Sequence, residues 1–135
     1  MDRVRQMFQS HPAPASDAGE EAFALVQAAA ECAFTCTTCA DACLEEEDPR
    51  ALRSCIRLNL DCADICTVTA TLISRPGPQS PEVLRAQLEA CIAACLACAE
   101  ECASHAAHME HCRVCAEACR ACAAACEVMK GALVA

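Results

Sequence analysis

The chain of 135 residues carries sixteen cysteines and a formal net charge of −9, with 19 acidic and 10 basic residues, and it contains no Trp or Tyr. A chain of this length forms a single domain with its own core. The acidic balance argues against a nucleic-acid partner, because the basic residues are spread along the chain rather than gathered into a patch. Alanine favours helix and cysteine packs like a small hydrophobe, so we expect a helical fold with a thin core.

The start of the chain predicts a cytoplasmic location. Met1 to Phe8 contains no apolar run of the length of a signal peptide, and Pro12 and Pro14 follow it closely. Charged residues and threonines interrupt the apolar positions throughout, so we expect no membrane span. In a reducing cytosol the thiols remain free. A disulfide framework is the alternative, but such scaffolds are short and loop-rich, whereas this chain is periodic like a helix.

The chain is predicted to begin with an N-terminal arm, residues 1–17. This arm has at most one short helical turn, around Val4 to Phe8. Asp17 and Glu20 have the spacing of a capping box, which predicts that the first long helix begins at about residue 18.

Residues 18–135 are predicted to form four helices with short links. Asp48 followed by Pro49, and Ser80 followed by Pro81, are typical helix starts. Helices of this length and connection predict an all-α fold, an antiparallel up-down-up-down four-helix bundle with a cysteine-lined lumen. The predicted helices span about residues 18–46, 49–73, 81–103 and 108–130.

The cysteines in each predicted helix recur every three or four residues, which places them on one face. Asn59 interrupts this pattern in the second helix, at a position where a thiol is expected. Its amide either leaves the neighbouring thiols less regular or forms hydrogen bonds with them. The candidate metal ligands are Cys32, Cys36, Cys39, Cys43, Cys55, Cys62, Cys66, Cys91, Cys95, Cys98, Cys102, Cys112, Cys115, Cys119, Cys122 and Cys126.

The two ends of the predicted lumen differ. At one end, His105 and His108 extend the cysteine stripe, with His111 and Met109 alongside. We therefore expect imidazoles to line an opening of the lumen there, which we call the mouth. The alternative is that these histidines only occupy helix ends, where a protonated imidazole is mildly favourable. The apolar residues that extend the stripe in the opposite direction predict a hydrocarbon plug, formed by Leu25, Ile73, Leu84, Leu88 and Leu133 with Met129 near its edge.

Soft thiolates select Cu(I), Zn(II) or iron–sulfur clusters. Cysteines four residues apart on a rigid helix offer two sulfurs on one face, which we expect to suit an ion with two or three ligands better than a tetrahedron. Bridging thiolates then give a capacity on the order of one Cu(I) per thiol. Many equivalent sites without an open position predict storage rather than an enzyme. A zinc or cadmium buffer, or less readily an iron–sulfur redox protein, is the alternative.

Four cysteine-lined helices, an alanine-rich sequence and histidines at one end resemble the bacterial copper storage proteins, specifically their cytosolic branch. The resemblance covers residues 18–131. It implies a bundle that binds many Cu(I) ions through all sixteen cysteines, with His105, His108 and His111 as candidates at the point where copper enters. It also implies a homotetramer. Release of tightly bound Cu(I) would require a copper chaperone or competing small thiols.

Overall fold

The computed structural model describes residues 1–13 and 19–133, and its regular structure there is helical throughout. The predicted all-α class is therefore confirmed. A single 3-10 turn, Pro49–Leu52, precedes the third helix. The helices are α1 (Asp2–Ser10), α2 (Gly19–Leu44), α3 (Arg53–Ile73), α4 (Pro81–His105) and α5 (Glu110–Ala132).

Helices α2 to α5 form the predicted antiparallel bundle. Each packs against the helix before and after it along the chain, and α5 returns to pack against α2. The thiol pairs show the alternating direction: Cys55 of α3 lies 3.7 Å from Cys102 of α4 (Sγ to Sγ), and Cys66 lies 3.8 Å from Cys91. Residues further along α3 thus pair with residues earlier in α4, which shows that the two helices run antiparallel. This ring of four helices encloses one central lumen.

Two helix boundaries in the first half differ from the prediction. Helix α2 ends at Leu44 rather than at residue 46, because Glu45 and Glu46 donate to carbonyls three residues back and so tighten the chain into a turn. Helix α3 begins at Arg53, since the segment after Pro49 forms the 3-10 turn instead of α-helix. The proposed cap Asp17 lies outside the described residues.

Two boundaries in the second half also differ. Helix α4 begins with the predicted Ser80 cap, whose hydroxyl accepts a hydrogen bond from the Val83 amide, and it continues to His105. Helix α5 begins at Glu110 rather than at residue 108, because Met109 has an extended backbone (φ −136°, ψ 112°). Helix α5 continues to Ala132, so that Gly131 lies within its last turn rather than beyond the predicted end at residue 130.

Helix α1 is longer than the predicted single turn. It spans nine residues and packs against α2. The Phe8 ring meets the Phe23 ring edge to face, with 5.8 Å between centroids, and the Arg5 guanidinium lies 4.1 Å from the Phe23 centroid. Val4 and Phe8 also pack against the core. These tertiary contacts stabilise a helix that would be marginal by itself.

The apolar plug is present where the sequence predicted it. Leu25 and Leu88 are fully buried, Ile73 and Met129 nearly so. Leu84 and Leu133 are partly buried and pack against the core that contains these four residues. Helix α1 lies against the N-terminal part of α2, at the same end of the bundle. This end of the lumen is therefore closed by hydrocarbon.

Helix α2 differs from the expectation that no segment has the length and hydropathy of a membrane span. By length and composition it is apolar enough to cross a membrane, contrary to the prediction that no stretch qualifies. Its alanines and cysteines raise its hydropathy, and half of the qualifying window is buried inside the bundle. The core helix of a soluble protein passes the same test.

Candidate metal site

The lumen is lined by thiols that touch one another. All sixteen cysteines are buried and free. Contacts between helices are as short as those within them: Cys36 Sγ lies 3.6 Å from the Sγ atoms of Cys115 and Cys119, and Cys66 Sγ lies 3.6 Å from Cys95 Sγ. The helical spacing predicted this stripe. The bundle makes the four stripes into one continuous column of sulfur.

Within this column, metal-ligating atoms form compact groups. The atoms of each group lie within 4.8 Å of one another, and each of the groups named below draws on at least two helices. They include Cys32/Cys66/Cys95/Cys122, Cys32/Cys36/Cys62/Cys119, Cys36/Cys98/Cys115/Cys119, Cys39/Cys43/His111/Cys112 and Cys39/Cys55/Cys102.

Groups of four thiols add to what the spacing along one helix indicated, namely that two sulfurs on one face suit an ion with two or three ligands better than a tetrahedron. Cys32 and Cys36 supply two sulfurs from α2, and Cys62 of α3 with Cys119 of α5 completes a set of four. The expectation considered each helix separately, whereas facing helices bring the further sulfurs within reach. Because some thiols belong to more than one group, neighbouring ions can share bridging sulfurs. The sulfur arrangement alone therefore accommodates ions of low or tetrahedral coordination.

Asn59 occupies a thiol position in the wall of the lumen. Its side chain is fully buried, and its Oδ1 accepts hydrogen bonds from the thiols of Cys98 at 3.1 Å and Cys115 at 3.0 Å. Cys102 donates to the same oxygen at 3.6 Å, and the amide nitrogen donates to Cys55 Sγ at 3.5 Å. Of the two alternatives open from the sequence, the structure selects the hydrogen-bonding amide.

His111 is the imidazole that faces the thiols. It is the second residue of α5, and its Nδ1 lies 3.3 Å from Cys39 Sγ and 3.7 Å from Cys112 Sγ. Its Nε2 lies 2.8 Å from a carboxylate oxygen of Glu46, in the turn that follows α2. Sequence reasoning missed Glu46; the run of acidic residues from Glu45 to Asp48 placed carboxylates at this end but gave no partner for them.

His105 and His108 are placed differently from the prediction. His105, the last residue of α4, is partly buried, and its Nε2 contacts Glu101 at 2.8 Å rather than a thiol. His108 is exposed, so its assignment to the lumen stripe is wrong. The helical register stops at His105 and resumes at Glu110, and the intervening turn carries His108 outward. Met109, also in this turn, packs partly buried against the core.

Burial keeps the outermost thiols of the lumen protonated. Desolvation, together with the neighbouring thiols Cys55 and Cys112, raises the pKa of Cys43 to about 12. Desolvation likewise raises the pKa of Cys112 to about 11. Both groups therefore carry their protons at neutral pH, and a metal ion that binds them as thiolates must displace those protons.

A closed helical bundle with a lumen of reduced thiols defines a protein that binds several soft metal ions. The sequence profile of a family described as copper storage protein matches residues 18–131. This chain belongs to the copper storage protein family, and the resemblance noted from the sequence is confirmed.

Solved and curated relatives agree with this assignment. The copper storage protein Ccsp of Streptomyces lividans, loaded with 10 copper equivalents, is 45% identical, with a TM-score of 0.91 over 95% of this chain and 98% of that chain. A structure of the cytosolic copper storage protein of the same organism with five coppers is 48% identical, with a TM-score of 0.81 over 83% of this chain and 93% of that chain. An uncharacterised cysteine-rich protein of Bacillus subtilis, YhjQ, is 36% identical over 98 residues, which is 70% of this chain and 82% of that protein.

Proposed function

We propose that this protein stores copper in the cytoplasm as many Cu(I) ions bound to the thiolates of its lumen, and thereby sequesters and detoxifies the metal. The observation that carries the proposal is the column of sixteen buried thiols, most of which contact another thiol. Membership of the copper storage protein family and the cytosolic, copper-loaded relative support it. Because neighbouring groups share thiols, they are suited to storage rather than to turnover at one reactive position.

Charge favours Cu(I) over divalent ions in this lumen. One Cu(I) neutralises one thiolate, so a lumen filled with about one ion per thiol has no net charge. A tetrahedral Zn(II) site with four thiolates keeps two negative charges, and burying uncompensated charge is costly. Groups of four thiols also match the tetrahedral coordination of zinc. Buffering of zinc or cadmium is therefore the alternative that an experiment must exclude.

The proposed ligands are the sixteen cysteines, joined at the open end by His111. Its Nδ1 belongs to the same group as Cys39, Cys43 and Cys112. An imidazole at this position offers an arriving ion a neutral donor before the thiols have lost their protons. His105 is proposed only as an outer donor, since its Nε2 is engaged by Glu101.

We also propose that the protein is a homotetramer and that a copper chaperone supplies or receives its ions. Exposed apolar side chains provide surface for subunit contacts, notably Phe34, which is 75% exposed on α2. The proposal includes no nucleic-acid or membrane partner. Light scattering coupled to size-exclusion chromatography measures the oligomer, and a monomer mass would remove this part of the proposal.

The decisive test is an anaerobic titration of the reduced protein with Cu(I), in competition with a coloured Cu(I) chelator, beside the same titration with Zn(II). Storage predicts uptake of more than about ten Cu(I) per chain with weaker and smaller zinc uptake. Saturation near about four ions, with zinc bound as firmly as copper, would instead establish a general metal buffer. A brown iron-containing protein after expression would indicate an iron–sulfur role.

A further inference from the structure

The side chain of Glu46 links the turn after α2 to the start of α5 at the mouth of the lumen. It lies in the turn after α2, and its amide donates to the carbonyl of Cys43, which fixes the backbone from which its side chain extends. Its carboxylate oxygen lies 2.8 Å from Nε2 of His111 on α5, 65 residues further along the chain. The imidazole side chain is 25% exposed and that of Glu46 is 38% exposed. The contact therefore lies at the boundary between solvent and lumen.

This contact determines which imidazole nitrogen carries the proton. An ionised carboxylate only accepts hydrogen bonds, so Nε2 of His111 must be the donor. In a neutral imidazole the other nitrogen, Nδ1, then has a free lone pair. Nδ1 faces the thiols of Cys39 and Cys112, at 3.3 and 3.7 Å. The thiol of Cys39 donates to that lone pair, and the same lone pair is the one that a metal ion would use.

We propose that Glu46 is a positioning residue for copper loading. It holds His111 in the tautomer protonated at Nε2 and directs Nδ1 toward the outermost thiols, so that an arriving Cu(I) meets an imidazole donor within reach of two sulfurs. Metal-binding histidines commonly donate their second ring N–H to a carboxylate, which orients the ring and strengthens the ligand. The proposal rests on the proposed function only in taking Cu(I) as the ion that arrives.

A second carboxylate–histidine pair at the same end provides an internal control. Glu101 contacts Nε2 of His105 at 2.8 Å, the same distance as in the Glu46 pair. Both of these residues belong to α4, and His105 does not belong to the group of Cys39, Cys43 and Cys112. Removing Glu101 therefore deletes the same negative charge and the same kind of hydrogen bond without changing the ring that faces the thiols.

The experiment uses the variants Glu46→Ala, Glu46→Gln and the matched control Glu101→Ala, with two readouts. The first is the ¹⁵N NMR spectrum of metal-free protein labelled at histidine, which reports the tautomer of each ring. The second is the rate and affinity with which the first Cu(I) equivalents bind, measured anaerobically by stopped flow and chelator competition. We expect His111 to be protonated at Nε2 in the unsubstituted protein and in Glu101→Ala, but to become a mixture of tautomers in Glu46→Ala.

Glu46→Ala is expected to lower the affinity or the rate of binding of the first Cu(I) equivalents by about 10-fold or more, which is the usual effect of losing such a carboxylate. Glu46→Gln, whose amide oxygen still accepts from Nε2, should recover part of the tautomer and of the rate. An unchanged His111 tautomer in Glu46→Ala would overturn the proposal, and so would an equal loss in Glu101→Ala. Total capacity of the unsubstituted protein separates the two ideas: low capacity defeats copper storage, whereas normal capacity with unchanged loading in Glu46→Ala defeats only the role of Glu46.

Discussion

The thiol of Cys115 on α5 donates to Oδ1 of Asn59 on α3 across 3.0 Å, between two helices that lie diagonally across the lumen. Cys98 donates to the same oxygen from α4 at 3.1 Å. One amide thus links three helices at a level where the helical repeat calls for sulfur. Asparagine at this position supplies no thiolate to a metal ion. Its amide oxygen is instead a stronger hydrogen-bond acceptor than a neighbouring sulfur, and it orders the buried thiols of the metal-free lumen.

Replacing Asn59 should separate metal capacity from metal-free stability. Asn59→Cys restores the thiol repeat and is expected to add about one Cu(I) to the capacity. It should also lower the free energy of unfolding of the metal-free protein by about 1 to 3 kcal/mol, because buried partners lose a strong acceptor. Copper titration and urea unfolding of the reduced protein measure the two effects. Asn59→Ala is the control: it should lower stability without raising capacity.

The metal-free bundle is expected to lose stability as the pH rises above about 9. The pKa values of Cys43 and Cys112 are raised from 9.0 to about 12 and about 11, so the folded state holds protons that the unfolded state releases. The stabilisation is complete below the unfolded value and is lost as the pH approaches the folded values. Urea midpoints between pH 7 and 11 test this. Replacing both cysteines by alanine should make the pH profile less steep, and an unchanged slope would contradict the assignment.

The helices, the thiol stripe and the apolar plug could be predicted because each depends on a periodicity within one segment. The mouth could not. His108 lies four residues before Cys112 and so extends the pattern of α5 backwards, but α5 begins only at Glu110, and no local signal marks that later start. The link between Glu46 and His111 joins residues far apart in the sequence. The groups of four thiols likewise depend on facing helices, and the sequence of one helix does not show which sulfurs the others bring beside it.

Removing the aromatic contact of α1 should lower stability without affecting copper. Phe8→Ala deletes the edge-to-face contact with Phe23, and for this partly buried ring we expect a loss of about 1 to 2 kcal/mol. Met7→Ala is the matched control, because Met7 is on the same helix and 68% exposed. Urea unfolding measures the first effect and Cu(I) titration the second. A fall in capacity for Phe8→Ala would show that α1 influences the lumen.

The three histidines of the mouth should differ in importance. His111→Ala removes the imidazole that contacts Cys39 and Cys112, and should weaken binding of the first Cu(I) equivalents by at least about 10-fold, the effect expected when even an outer partner is lost. His108→Ala should change nothing, since that side chain is exposed. His105→Ala should have an intermediate effect. Stopped-flow loading of the three variants checks this order, and equal effects of His108→Ala and His111→Ala would contradict it.

Removal of copper should leave the helices formed. The thiols already pack as a buried apolar column without metal, and the plug closes one end independently of it. Circular dichroism of the reduced, metal-free protein should therefore show the same helix content as the loaded protein, while the melting temperature rises on loading. An ion present at 1,000 times its dissociation constant adds about 4 kcal/mol for a single site, so many sites should shift the melting temperature strongly. A metal-free spectrum of random coil would instead mean that copper organises the fold, as metals do in small domains that lack a core.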